Sequence, residues 1–124
     1  MSYGAALITP LTPGGYFAAR RAARQLSAVE LAERIDCLPH IGVHDRAAWL
    51  RLIEADVMPA SWSTIAALSE HLALDLDLLA ALDAARLGSD AAAPAHCHTC
   101  GITPRQLQEA PAWPSEILCP GCKA

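Results

Sequence analysis

The chain has 124 residues, a formal charge of −4 and 53% hydrophobic residues, enough for one ordinary domain or a small domain with an appendage. Aromatics make up only 5% and alanine carries much of the apolar content, which favours helices over sheets because alanine has the best helix propensity and β-branched residues are sparse. No run approaches the ~20 apolar residues of a membrane helix, residues 1–15 lack the basic-then-apolar order of a secretory leader, and the acidic balance disfavours a purely electrostatic grip on nucleic acid without excluding a local basic face.

Residues 1–14 end in Thr9-Pro10-Leu11-Thr12-Pro13-Gly14, followed by Gly15, a run of breakers expected to form a flexible or extended arm. Residues 15–87 carry helical periodicity. A first helix is predicted over 16–25, with Arg20, Arg21 and Arg24 on its polar side. Ser27-Ala28-Val29-Glu30 reads as a capping box, in which Ser27 and Glu30 satisfy each other's amides. It opens a second helix over 28–35 with Val29, Leu31, Ala32 and Ile35 inward. Asp36 to Gly42 breaks that helix, since Pro39 and Gly42 both disfavour it.

Asp45 is a plausible N-cap for a third helix over 46–56, with Trp49, Leu50, Leu52 and Ile53 at inward spacings. Ser61 or Ser63 caps a fourth that ends near Leu72 and buries Ile65, Leu68 and Leu72. Asp75 caps a fifth over 76–86, burying Leu78, Leu79 and Leu82. Five short helices with tight connections predict a compact bundle. Residues 88–95 read as a linker into a tail module over 96–124.

The tail holds Cys97-His98-Thr99-Cys100 and Cys119-Pro120-Gly121-Cys122, a C-x2-C-x18-C-x2-C pattern. A two-residue gap lets two thiolates of one turn face a common point, and two such turns supply the four soft ligands of a tetrahedral Zn²⁺ site. One zinc, held by Cys97, Cys100, Cys119 and Cys122, is expected. Four thiolates leave no open position, so the ion is read as a staple rather than a catalyst. His96 and His98 flank the first pair and could each replace a cysteine. Disulfides are the alternative, disfavoured by five cysteines, an odd number, and by the expected cytoplasmic setting. Thr103 and Pro104 begin a short helical stretch toward Glu109, giving a knuckle–helix–knuckle order. Trp113 and Ile117-Leu118 either pack over the metal or form a docking patch.

Other constellations carry little chemistry. Cys37 near Pro39 and His40 lacks a third group and reads as a small core residue. There is no phosphate-binding glycine loop, no H-E-x-x-H and no Ser/His/Asp motif, so an enzyme is not expected.

Four segments of the middle part carry a resemblance. Arg24-Gln25-Leu26-Ser27-Ala28-Val29-Glu30-Leu31-Ala32-Glu33-Arg34-Ile35 is similar to the first two helices of repressor-like helix-turn-helix domains of the Cro and xenobiotic-response-element type. Leu50-Arg51-Leu52-Ile53-Glu54 resembles the family's I-S-R-I-E segment. Pro59 to Leu68 is similar to its P-S-x-x-T-L-x-x-L helix, and Leu72 to Leu79 to its L-x-V-x-L-D-x-L. The resemblance implies a five-helix helix-turn-helix bundle whose third helix, about 45–56, reads the DNA major groove. It departs from the pattern at 36–44, a longer connection containing a proline.

On that basis the expected function is sequence-specific DNA binding by a cytoplasmic transcriptional regulator of bacterial or phage type. Arg20, Arg21 and Arg24 would meet phosphates, with His44, Arg46 and Arg51 on the groove-facing helix. Arg46 beside Asp45 reads equally as a solvated ion pair. The resemblance implies a homodimer on double-stranded DNA; the zinc module would assist dimerisation, DNA contact or recruitment of a protein partner, and protein contact is favoured because Arg105 and Lys123 give it little positive charge. The competing expectation is an adaptor that keeps the scaffold without reading DNA: residues 16–87 hold seven arginines against ten carboxylates.

Overall fold

The computed structural model describes residues 11–35, 41–89, 94–106, 118, 119 and 122. Among these lie five α-helices and no strand: α1 Pro13–Ala23, α2 Ala28–Arg34, α3 Val43–Glu54, α4 Trp62–Ser69 and α5 Leu76–Arg86, with a 3-10 turn at Pro104–Gln106. The mainly α class is what the alanine-rich composition dictates. No helix among the described residues is long and apolar enough to cross a membrane. Expectations for residues 1–10, for Cys37, Pro39 and His40, for 90–93 and 107–109, and for Trp113, Ile117 and Lys123 lie outside the described residues.

The helices divide between two compact units, Pro13–Leu74 with α1 to α4, and a second that takes in α5 and the cysteine segment. In the first unit, α3 packs on both α1 and α2. Tyr16, Phe17, Leu26, Leu31, Ile35, Leu50, Ile53, Leu68 and Leu72 form its core, and the small Ala28, Ala32 and Ala47 let helices approach closely. Leu52 is a correction: it is 44% exposed. Ala47, Leu50 and Ile53 define the buried face of α3, and Leu52 lies ~100° around the helix from Ile53.

Capping explains the helix limits. Ser27 accepts from the Glu30 amide and Glu30 Oε1 accepts from the Ser27 amide, both at 3.0 Å, so the capping box forms as expected. Ser61, not Ser63, caps α4. That helix stops at Ser69, short of Leu72, where the Leu72 amide still bonds to the Leu68 carbonyl. α3 begins at Val43 with Gly42 as an N-cap lacking any side-chain bond, so Asp45 sits inside the first turn rather than at the cap. There its charge still complements the positive helix end.

α1 starts at Pro13, ahead of the anticipated residue 16, so the breaker run is partly helical. Proline suits the first helical position, where its missing N–H leaves no bond unmade. Gly14 is required for another reason. Its amide donates to Asp56 Oδ1 at 2.8 Å, and an added Cβ would overlap the Ile53 carbonyl oxygen and lie 2.7 Å from that of Glu54. The N-terminus of α1 thus rests on the C-terminus of α3. Asp56 itself has φ 60, and the bonds from Val57 N to Leu52 O and Asp56 N to Ile53 O complete a Schellman turn. α1 ends the same way, with Gln25 at φ 58.

Candidate metal centre

In the second unit, Asp75 organises α5 and the chain that carries the cysteines. Oδ1 of Asp75 accepts from the amides of Asp77 and Leu78, the N-cap expected from sequence. Oδ2 accepts from the Thr103 hydroxyl at 2.9 Å, with Asp75 and Thr103 both buried. Thr103 therefore does not cap the following turn with its own oxygen. Gln106 Oε1 reaches back to the Thr103 amide at 3.0 Å instead, and Pro104–Gln106 is a single 3-10 turn.

The cysteine pairs are shaped by backbone bonds. The Cys97 amide donates to the Ile102 carbonyl and the Gly101 amide to the Cys97 carbonyl, at 2.8 and 2.9 Å. Gly101 has φ 80, a conformation that glycine adopts without penalty. This closed loop points the Cys100 amide at Cys97 Sγ, 3.5 Å away. The second pair turns likewise, the Cys122 amide bonding to the Cys119 carbonyl at 3.2 Å.

The sulfurs of Cys97, Cys100, Cys119 and Cys122 all lie within 4.8 Å of one another. Four sulfurs at ~2.3 Å from a tetrahedral ion would be ~3.8 Å apart, and Cys100 Sγ and Cys119 Sγ are 3.7 Å apart. That separation is far beyond the ~2.05 Å of a disulfide, and all four cysteines are free. The donor set and its spacing fit a zinc ion.

Thiol acidity differs within the cluster. Burial opposes ionisation of Cys97, yet amides of Cys100, Cys119 and Thr99 aimed at its sulfur outweigh burial and bring the thiol down to about 6. Burial pushes the Cys100 and Cys122 thiols up, and hydrogen bonds among neighbouring thiols add to the rise at Cys122. The Cys97 thiolate is thus ready at neutral pH, and Cys100 and Cys122 must surrender protons to an ion.

Beside the cluster, the His96 and His98 rings lie 4.5 Å apart, centroid to centroid, tilted by 41°. His96 Nδ1 bonds to the Pro94 carbonyl at 2.9 Å.

The six residues expected on DNA lie in the first unit and are not gathered on one free face. Arg20 is only 5% exposed and its Nε donates to the Ala73 carbonyl at 3.0 Å. One turn on, Arg24 is exposed and its Nε donates to the His71 carbonyl at 3.1 Å. Arg21 holds Glu54 with two bonds and the Leu26 carbonyl with a third. Arg46 donates from Nε to the Ala32 carbonyl, near the end of α2, and from Nη1 to the Ile41 carbonyl. His44 and Arg51 are exposed. Arg20, Arg21, Arg24 and Arg46 thus donate to backbone carbonyls, one in the last turn of α2 and the rest in the connections between helices. Sequence reasoning reached the cysteines; it missed the Arg21–Glu54 pair and the Asp75–Thr103 bond, which join residues far apart in the chain. Compared with known protein families, curated proteins and solved structures, the chain matches none.

Proposed function

We propose that the chain is a protein-interaction adaptor, a repressor-like helical scaffold stapled at its tail by one structural zinc ion and not reading DNA. One observation carries this reading: Arg20, Arg21 and Arg46 each turn part of the guanidinium inward, onto the Ala73 carbonyl, the Glu54 carboxylate, and the Ala32 and Ile41 carbonyls respectively. DNA binding by counterion release needs cations that face the phosphates. The exposed charges along α2 and α3 are Glu30, Glu33, Arg34, His44, Asp45 and Arg51, with no cationic excess at neutral pH. Exposed Leu52, Val57 and Trp62, the last at 76%, supply apolar and aromatic surface of the kind that anchors protein partners. The four-thiolate donor set leaves no open coordination position, which supports a staple rather than a catalytic ion.

A second reading, a DNA-binding regulator, draws on α3. His44, Ala48 and Arg51 recur at i, i+4 and i+7 and so share one exposed helix face, where a groove-reading helix would present them. Titrating labelled duplex at several salt concentrations separates the two. The adaptor gives no duplex binding at low salt, and Trp62→Ala abolishes retention of a partner that the parent chain retains. Binding that weakens steeply with salt, and is lost in Arg51→Ala, would overturn the adaptor.

A further inference from the structure

We propose that the solvent-facing side of α5 docks an amphipathic helix of another protein, one whose apolar stripe is edged by lysine or arginine. Leu78, Leu79 and Leu82 are buried on one side of α5. On the opposite side Leu76, Ala80, Ala84 and Leu87 are exposed, Leu76 at 47% and Leu87 at 81%. At ~100° per residue these four fall within ~80° of one another and run ~17 Å along the axis, about three turns. Apolar residues on both sides mark a helix that is covered on both. Here only the side with Leu78, Leu79 and Leu82 is covered. The two alanines let a second helix come to the ~8 Å of the closest packed pairs, with a leucine gripping it at either end.

The edges of the stripe say what covers it. Asp83 borders it beside Leu76 and Asp77 borders it beyond Ala84, so each edge carries a carboxylate. Arg86, the one cation in the sequence of α5, lies ~80° from Leu76, behind the Asp83 edge. A second copy of the chain fits poorly. Antiparallel pairing of α5 with itself sets each edge against its own copy, and parallel pairing sets the Asp77 edge against the Asp83 edge. Both bring like charges together. Phosphates of a nucleic acid meet the same repulsion. A helix with basic edges meets opposite charge on both sides, the arrangement that fixes partner and register where helices pair. The face is held ready for it, since Asp75 caps α5 through Oδ1 and the buried leucines fix its rotation. It shares no residue with the Leu52, Val57 and Trp62 surface, so it goes beyond the adaptor reading and can fail separately.

The test is fluorescence anisotropy of a labelled synthetic helix with a leucine stripe edged by lysines, titrated with the full chain. The same helix with glutamates at those edges is titrated beside it. The lysine helix should bind, more weakly as salt rises, and the glutamate helix should not. Ala84→Gln, which fills the stripe at an exposed position, should cut binding ~10-fold. Asp83→Lys should weaken the lysine helix and admit the glutamate one, and Trp62→Ala should change neither. No binding of the lysine helix, equal binding of both helices, or indifference to Ala84→Gln or Asp83→Lys would overturn the proposal. Loss of binding in Trp62→Ala would put the helix on that other surface and overturn it too. So would a chain that sediments as a dimer and dissociates on Ala84→Gln, since a second copy then holds the face. Should the α5 variants lose helical circular dichroism, the two helices compared on the parent chain decide.

Discussion

Arg21 holds Glu54 by both carboxylate oxygens, Nε to Oε2 at 2.7 Å and Nη2 to Oε1 at 2.8 Å, so that α1 and α3 share one fork-shaped bond. Arg21 also donates Nη1 to the Leu26 carbonyl at 2.9 Å, which ties the turn before α2 into the same junction. Hydrogen bonding to Glu54 raises the already high guanidinium pKa against the opposing effect of burial, so Arg21 stays charged at any working pH.

Removing one partner leaves the other partly buried and unpaired, since the side chains are only 21% and 11% exposed. Glu54→Ala is expected to cost ~2–3 kcal/mol, less than a fully buried pair would. Arg21→Lys should also destabilise, because an ammonium cannot reproduce the fork. Urea unfolding checks both: the midpoint should fall with the slope unchanged.

Gly14→Ala should lower stability by ~1–3 kcal/mol despite alanine's better helix propensity, because the new methyl meets backbone oxygens of α3 rather than a yielding side chain. The same substitution at Gly42, where nothing lies within 4 Å, should cost less, only the ~0.5 kcal/mol that separates glycine from alanine at an N-cap. Thermal unfolding of the two variants side by side gives the comparison.

The two non-glycine residues in left-handed conformation should respond in opposite directions. Gln25 is exposed and has φ 58, so Gln25→Gly is expected to stabilise by about 0.5–1 kcal/mol. Asp56→Gly relieves similar strain but removes the acceptor of the buried Gly14 amide, and should destabilise by ~1 kcal/mol. Denaturant midpoints of the two variants would show the opposite signs.

Metal affinity should fall as pH falls. Cys100 and Cys122 have thiols raised above their ordinary value, so both enter binding protonated at neutral pH and release those protons to solvent. Each proton released makes binding ~10-fold tighter per pH unit, or ~100-fold for the two. The Cys97 thiol, held down to about 6, adds a further proton below that pH. Chelator competition at pH 8, 7 and 6 measures the slope, and Cys119→Ser should release the ion altogether.

Thr103→Val deletes the donor to Asp75 Oδ2 while conserving shape. Losing that buried bond is expected to cost ~1 kcal/mol. The N-cap through Oδ1 is untouched, so helicity should persist while the cysteine segment loosens. Faster zinc transfer to a chelator, at unchanged far-ultraviolet circular dichroism, is the expected result.

Local chemistry alone determined much of this protein. The capping box at Ser27, the cap at Asp75, the limits of α5 and the turn within each cysteine pair all follow from residues within a few positions of one another, where backbone geometry leaves few choices, whereas Ser61 and Ser63 are equal candidates for the cap of α4. The tertiary structure decided what the arginines do and where α1 begins. Arg20 and Ala73 are distant in sequence, as are Gly14 and Asp56, and no periodicity announces which carbonyl a long cation will find. Leu52 has the composition of a core residue and lies outside the core, because burial is set by the face that α1 and α2 cover rather than by hydrophobicity.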